Sequence, residues 1–377
     1  MTTVLFGAFD RHNFGDLLFP HIAAALLPDR ELLFAGLAER DLHCYGGHHV
    51  QPVTRIAADY RGRPIDFIHA GGELLDCDAW EAVVMLAAPD EARDLISTFG
   101  NQPQQALEWA QRELGMSALA PYVVPRTLFP GARRVLYNAV GGVALGVRGT
   151  AMRQEVFDKL RQADAVGVRE RQTEALLNAA GITTRLMPDP AVMTAQLFGA
   201  RIAVRAREPD IAPLLNAFPQ GFLAVQFSAD FGDDATLAAI ATQLDRIVLA
   251  TGLGVLFFRA GAAPWHDDLS CYRRVKSRMR CPSAIFTALD LWAICAVIAN
   301  SRGFAGSSLH GRIVATAFAL PRINFVRSPQ VGRPGKQSAY AAAWEDPGLP
   351  AVVGVEGMAD AVCHALATDP ARLRCIA

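Results

Sequence analysis

The stretch Gly306-Ser307-Ser308-Leu309-His310-Gly311-Arg312 brings an imidazole, a guanidinium and two hydroxyls within seven residues. It lies between two apolar runs, 291–298 and 313–321. Small residues at 305–308 suit a tight strand-to-helix turn, and 309–320 reads as the helix that follows. A helix start carries unpaired backbone N–H groups and a partial positive charge. With His310 and Arg312 on that end, it forms an anion site beside a titratable group. Two readings follow. In one, a small phosphorylated or carboxylated donor docks here and His310 handles a proton. In the other, Ser307 or Ser308 caps the helix and His310 packs locally. The stretch alone does not choose between them.

Such a site needs a scaffold, and the bulk of the chain bounds it. The 377 residues suit two domains, and 51% hydrophobic residues are enough for two cores. Lys+Arg 36 against Asp+Glu 37 gives a formal net charge of −1. With no basic tail, RNA-binding aromatic pattern or zinc-finger spacing, nucleic acid is not an expected partner. The seven cysteines are scattered without any CxxC pair, which argues for a reducing compartment and against a disulfide framework or zinc site. The N-terminus enters a strand without the basic and long apolar regions of a signal peptide. The most apolar window, 284–299, is broken by Asp290 and is shorter than a bilayer requires. The expected location is the cytoplasm. A lipid-linked substrate would place the protein at the inner face of the membrane, and homo-oligomerisation stays open.

Along the chain, apolar runs alternate with helical periodicity. Strands are predicted at 4–8, 31–36, 65–69, 134–140 and 165–168, and a second series at 222–227, 254–258, 283–287 and 322–326. Helices are predicted at 17–27, 150–163, 172–180, 233–250, 269–279, 289–300 and 358–366. Gly181 and Gly252 read as helix stops. The polar turn Asp10-Arg11-His12-Asn13-Phe14-Gly15-Asp16 follows the first strand, and Ala70-Gly71-Gly72-Glu73 follows the third. Such junctions predict doubly wound α/β sheets with ligands beyond the carboxyl ends of the strands.

Other segments are less regular. Residues 75–131 break the rhythm and read as a lid or specificity insert. Trp80, Trp109 and Tyr122 could stack on a sugar there, though simple packing is the preferred reading of each. Residues 186–219 read as irregular after Pro188-Asp189-Pro190, and 327–335 as a polar Gly/Pro-bearing stretch. His266-Asp267-Asp268 reads as an exposed loop with a capped helix in preference to an acid/base or metal cluster.

Five motifs in order carry a resemblance: Asn13-Phe14-Gly15-Asp16, Gly71-Gly72, Val168-Arg169-Glu170 with Thr173, Leu176 and Gly181, Pro188-Asp189-Pro190, and Gly306-Ser307-Ser308-Leu309-His310-Gly311 followed by Ala315 and Pro321. Together they resemble the polysaccharide pyruvyl transferase family over most of the chain outside 75–131. The resemblance implies a GT-B-like fold, with two Rossmann-type doubly wound domains facing across a cleft. The expected domains are 1–205 on the acceptor side (with the insert 75–131), 206–350 on the donor side, and a C-terminal segment 351–377 whose helix crosses back to the first domain.

The implied activity moves a pyruvyl group from phosphoenolpyruvate onto hydroxyls of a sugar, oligosaccharide or lipid-linked glycan as a cyclic ketal. No metal or organic cofactor is expected. His310 is the expected acid and Asp16 the expected base, although Asp16 also reads as an N-cap. Donor and acceptor contacts are expected from Arg169, Ser307, Ser308, Leu309, Gly311, Arg312, Asn13, Gly15, Gly71 and Gly72. Arg169 would supply a bidentate fork, or else an interdomain salt bridge. Several family members carry Arg where this chain has Ser308; either Arg312, one helical turn on, substitutes for it, or the donor contact is lost. Two other readings are a nucleotide-sugar glycosyltransferase on the same scaffold and a non-catalytic member that kept the fold.

Overall fold

A computed structural model describes residues 1–327 and 335–375, so most of the stretch expected at 327–335 lies outside the described residues. The chain divides into two compact units, Met1–Pro190 and Ala191–Ala377.

The first unit is built on a parallel sheet. Its strands are β1 (Thr2–Phe6), β2 (Glu31–Gly36), β3 (Arg40–Asp41), β4 (His49–Pro52), β5 (Ile65–His69), β6 (Gly72–Glu73), β7 (Ala132–Gly141), β8 (Ala165–Val168) and β9 (Arg185–Leu186). They run in the order β3-β4-β2-β1-β5-β7-β8-β9, with β6 paired to β7, and only β3 is antiparallel to its neighbour among the described pairs. Val4, Leu5 and Phe6 are all buried, as a central parallel strand covered on both faces requires. From β1 the chain passes through α1 (Phe14–Leu26) to β2, and after α2 (Val53–Asp59) it lays β5 against the other edge of β1. The strand order therefore reverses between β1 and β5. Helices α6 (Thr150–Leu160) and α7 (Arg171–Ala179) complete this unit around the core of Phe6, Phe67, Val135, Val156 and Leu177.

Between β6 and β7, three helices form a separate layer: α3 (Ala79–Leu86), α4 (Pro89–Phe99) and α5 (Pro103–Glu113). They enclose a small cluster of Ala79, Val83 and Ala110, on which Trp80 and Trp109 pack with their rings edge to face, 6.4 Å apart. Both tryptophans therefore pack, in line with the preferred reading. The expected insert ends earlier than 131, because Tyr122, Val123, Val124 and Phe129 belong to the main core.

The second unit repeats the scheme. Its strands β10 (Phe222–Gln226), β11 (Gly254–Phe257), β12 (Ser283–Ile285), β13 (Gly303–Gly306), β14 (Arg322–Val326) and β15 (Val352–Gly354) are ordered β12-β11-β10-β13-β14-β15. Here the order reverses between β10 and β13, which lie side by side with Gln226 paired to Gly306. The intervening helices are α8 (Thr194–Arg205), α9 (Ala212–Leu215), α10 (Asp234–Thr251), α11 (Leu269–Arg278), α12 (Leu291–Ala299), α13 (Leu309–Ala317) and α14 (Lys336–Trp344), with α15 (Met358–Leu366) and α16 (Pro370–Arg374) at the end.

Two expected boundaries move. The first unit ends at Pro190 and not at 205, because α8 packs in the second unit: Arg205 pairs with Asp290 at 3.1 Å and Phe198 meets Trp292 at 5.1 Å. Gly199 and the flanking prolines hide this helix from periodicity. The helix expected to cross back to the first domain, α15, instead packs on α10 in the second unit's core. There Ala359 N–H donates to Gln243 Oε1 at 3.1 Å.

Candidate functional site

Among its parallel strands each sheet has one place where the order reverses, and in doubly wound folds ligands bind beyond the strand ends there. The sequence-predicted residues fall at both.

In the second unit, β13 ends at Gly306 and α13 begins three residues later. Ser308 is the N-cap, with extended backbone (φ −77°, ψ 126°), and its Oγ accepts from Gly311 N–H at 3.1 Å. The capping reading is therefore realised, and it occupies the Ser308 hydroxyl. Ser307 Oγ accepts from Ser228 N–H at 3.1 Å, and Ser307 N–H donates to Gln226 O at 3.1 Å. Gly311 is set by packing, since a Cβ there would lie 2.5 Å from the Phe304 ring. His310 occupies the second helical position and is buried. Among the described residues, the Leu309 N–H takes part in no hydrogen bond, as expected of a first-turn donor.

Arg312 does not stand in for the family's arginine. It is wholly buried; its Nε and Nη2 each donate to a Glu345 oxygen at 2.6 Å, and its Nη1 donates to Ala351 O at 2.7 Å. Arg322 Nη2 lies 3.2 Å from the same carboxylate. The fork is filled by protein and ties α13 to the segment that leads into β15.

Two side chains that the sequence reading passed over, Gln226 and Asn324, and one that it took as exposed, Asp267, organise this turn. Gln226, the last residue of β10, accepts the Ser308 N–H through Oε1 at 2.8 Å and donates through Nε2 to Asp267 Oδ1 at 2.7 Å. Asp267 Oδ2 accepts from Ala260 N–H at 2.6 Å, and burial pushes its carboxyl up to about 7. Asn324 Nδ2 donates to Gly306 O at 2.6 Å and Ser308 O at 3.1 Å. The loop expected to be exposed is thus half right: Asp268 caps α11 through Ser270 N–H, while Asp267 points inward. A glutamine closing the apolar strand Phe222–Gln226 was the available signal.

In the first unit, α1 starts at Phe14, three residues before the sequence placed it, because Asn13 is its N-cap. Asn13 Oδ1 accepts from Gly15 N–H at 3.2 Å, so both residues serve the helix start, and Asp16 stands in the first turn instead of capping. Asp16 is 5% exposed. Gly71 and Gly72 have φ of +114° and +92°, a region that favours glycine, and a Cβ on Gly72 would lie 3.2 Å from Asp16 Oδ1. The structure thus brings Asn13, Gly15, Asp16, Gly71 and Gly72 together at the β1/β5 crevice. Beside them Asp10 accepts from Leu37 N–H at 2.6 Å and from the Tyr122 hydroxyl at 2.9 Å, and Arg11 Nη1 donates to that hydroxyl at 2.6 Å. Tyr122 is fully buried and so serves this network, not a sugar.

Arg169 is withdrawn from donor binding. It is 1% exposed, and its Nε donates to Glu170 at 2.7 Å, its Nη1 to Asp189 at 2.8 Å and its Nη2 to Glu73. Thr173 Oγ1 completes the cage on Glu170 at 3.1 Å, and burial raises the Glu170 carboxyl to about 7. All these bonds lie within the first unit, so the salt-bridge reading holds, but as an intradomain knot.

A family model described as polysaccharide pyruvyl transferase matches residues 134–329, more than half of the chain. Among curated proteins there is no match. Solved structures similar in fold include a UDP-GlcNAc 2-epimerase from Methanocaldococcus jannaschii (11% identity, 100% of this chain and 98% of that one, TM-score 0.57). Another is the Neisseria meningitidis UDP-GlcNAc 2-epimerase bound to UDP-GlcNAc (10%, 100% and 94%, TM-score 0.55). A third is Anabaena HepE in complex with UDP and glucose (12%, 100% and 94%, TM-score 0.53). At such identities the likeness shows the fold alone, which is of the GT-B type.

Proposed function

The chain belongs to the polysaccharide pyruvyl transferase family, and we propose that it transfers a pyruvyl group from phosphoenolpyruvate to two hydroxyls of a sugar, forming a cyclic ketal. The observation that carries this reading is the Leu309-His310-Gly311 turn, built as the start of α13 at the β10/β13 reversal. A helix start there offers N–H donors and partial positive charge to an anionic donor.

The chemistry needs an acid first. His310 gives a proton to the donor's methylene carbon, and the double-bond electrons form that C–H bond. The adjacent carbon becomes a cation stabilised by its oxygen, and one sugar hydroxyl attacks it while giving up its proton. Phosphate then leaves with the electrons of its C–O bond, and a second hydroxyl closes the ring, its proton passing to the departing phosphate. Asp16 is our candidate for accepting the hydroxyl proton. With Arg169 and Arg312 both filled by carboxylates, the donor's anionic groups fall to the first-turn N–H groups of α13, and Ser307 and Ser308 act by shaping that turn. The scheme uses no metal or organic cofactor. The acceptor is a sugar, an oligosaccharide or a lipid-linked glycan presented from the cytoplasmic side of a membrane. No helix among the described residues is long and apolar enough to cross one.

Thermal-shift titration of wild type and His310→Ala tests the reading. Phosphoenolpyruvate should raise the midpoint of wild type, with a smaller rise in the variant, while UDP-GlcNAc should leave both unchanged. Phosphate release with a sugar acceptor should collapse in His310→Ala. A response to UDP-sugars alone, or undiminished release in the variant, overturns it.

A further inference from the structure

We propose that Asp267, acting through the side-chain amide of Gln226, is a positioning residue that fixes the direction of the hydrogen bonds entering the first turn of α13. It thereby sets how that turn presents its N–H groups to the donor. The inference rests on the donor-site reading above, and it concerns residues outside every motif that led there.

The argument is one of donors and acceptors. Ser308 N–H can only donate, and it meets Gln226 Oε1 at 2.8 Å. An ionised carboxylate can only accept, and Asp267 Oδ1 meets Gln226 Nε2 at 2.7 Å. The two neighbours leave Gln226, which is 2% exposed, a single amide orientation. The far end is anchored on backbone: Ala260 N–H donates to Asp267 Oδ2 at 2.6 Å, and Asp267 N–H donates back to Gly261 O at 3.3 Å. A fixed backbone N–H, a carboxylate, an amide and the N-cap N–H of α13 thus form one polar chain. Two positions separate that N–H from His310. Ligand-bearing elements are commonly oriented this way by partners that never touch the ligand.

An isosteric change tests the direction without opening a cavity. In Asp267→Asn, one end of the new amide must be N–H₂. The Ala260 N–H cannot turn away, so the N–H₂ faces Gln226, whose amide flips and sets its own N–H₂ against Ser308 N–H. Gln226→Glu alone places two carboxylates against each other. Combining Asp267→Asn with Gln226→Glu satisfies every atom again. The new amide at position 267 accepts from Ala260 and donates to the new carboxylate at position 226, which accepts from Ser308. The total charge is that of wild type.

Wild type, both single variants and the double variant are compared at pH 8 by amide hydrogen exchange at Ser308 and Leu309 and by kcat for phosphate release. Losing one directed hydrogen bond should speed Ser308 exchange and lower kcat by about tenfold in Asp267→Asn. The double variant should return Ser308 exchange to the wild-type rate and kcat to within about threefold of it, on the same energy scale. Wild-type exchange and turnover in Asp267→Asn, or a double variant no better protected at Ser308 than Asp267→Asn, overturns the proposal. Exchange needs no substrate. If wild type shows no turnover of phosphoenolpyruvate with any acceptor, the donor reading fails, and exchange at Ser308 still decides the inference.

Discussion

The two sheets reverse their strand order at equivalent places, yet line the strand ends there with opposite materials. The first unit concentrates buried charge: Asp10 with Arg11 at the β1/β5 reversal, and Arg169 among Glu73, Glu170 and Asp189 just beyond β8. At the β10/β13 reversal the groups touching the helix start are neutral (Gln226, Ser307, Ser308 and Asn324), and the carboxylate of that frame, Asp267, stands behind Gln226. The nearest tight ion pair, Arg312 with Glu345, begins four residues along α13 from its cap. A neutral frame leaves the partial charge of a helix start uncancelled, whereas a carboxylate cage consumes a guanidinium entirely. The difference separates an arginine that holds a unit together from a turn that can receive an anion.

The sharpest way to break this contrast is at Arg169. Its removal leaves three carboxylates facing one another in a buried site, and unpairing a buried charge costs about 3–5 kcal/mol. Arg169→Ala should therefore lower the urea midpoint steeply or prevent soluble expression. Arg169→Lys should restore little, because an ammonium cannot reach three partners with a planar fork. A variant that folds with the wild-type midpoint, yet loses affinity for phosphoenolpyruvate, would return Arg169 to the donor site.

Arg312 should behave likewise but more mildly, since two arginines share Glu345 and Arg322 remains when Arg312 is removed. Arg312→Met is expected to cost about 3 kcal/mol as the carboxylate loses its bidentate partner, measured by urea unfolding. The triple change Arg312→Met, Arg322→Met and Glu345→Leu should recover part of that loss, because apolar groups of similar volume replace the whole buried cluster, whereas removing Glu345 with Arg312 alone strands the Arg322 guanidinium. If the triple variant is as unstable as the sum of the singles, the three do not act as a unit.

Much of this organisation was legible in the sequence. The β-α alternation gave both sheets, because central parallel strands such as 4–6 and 222–225 are apolar on both faces and cannot be mistaken for surface. The Gly306–Arg312 turn was legible because small residues and a capping serine leave few other conformations. The partners were not. Nothing in Arg169 or Arg312 announces that carboxylates 96 and 33 positions away will fill their forks. Long-range pairing is a property of the assembled sheet, and a motif arginine reads the same whether it binds a ligand or a carboxylate. Asp267 was misread for a related reason: it adjoins a true cap, Asp268, so the polar run looked like one exposed loop. Helix α8 was missed because Gly199 and the prolines before it outweighed a weak apolar stripe, and packing on α12 supplied what propensity lacked.

The smallest expected effect compares the one property the two crevices share. Each unit holds a carboxyl raised to about 7 by burial, Glu170 in the first and Asp267 in the second. A raised carboxyl pKa means that the folded state prefers the proton. The stability it contributes is full below the ordinary value near 4 and is lost as pH rises towards 7. Ion-paired carboxylates such as Asp233 and Asp234, held low mainly by hydrogen bonds, slope the other way at lower pH, so the wild-type curve alone mixes signs. Glu170→Gln isolates one group: the variant's thermal midpoint relative to wild type should climb between pH 5 and pH 8. Asp267→Asn should show a similar climb on top of a constant loss from its frustrated hydrogen bonds. A flat difference for Glu170→Gln would mean that the Arg169 guanidinium outweighs burial and keeps that carboxylate ionised throughout. The first unit's crevice would then be a fully charged cage, and the contrast with the neutral frame around α13 would be wider still.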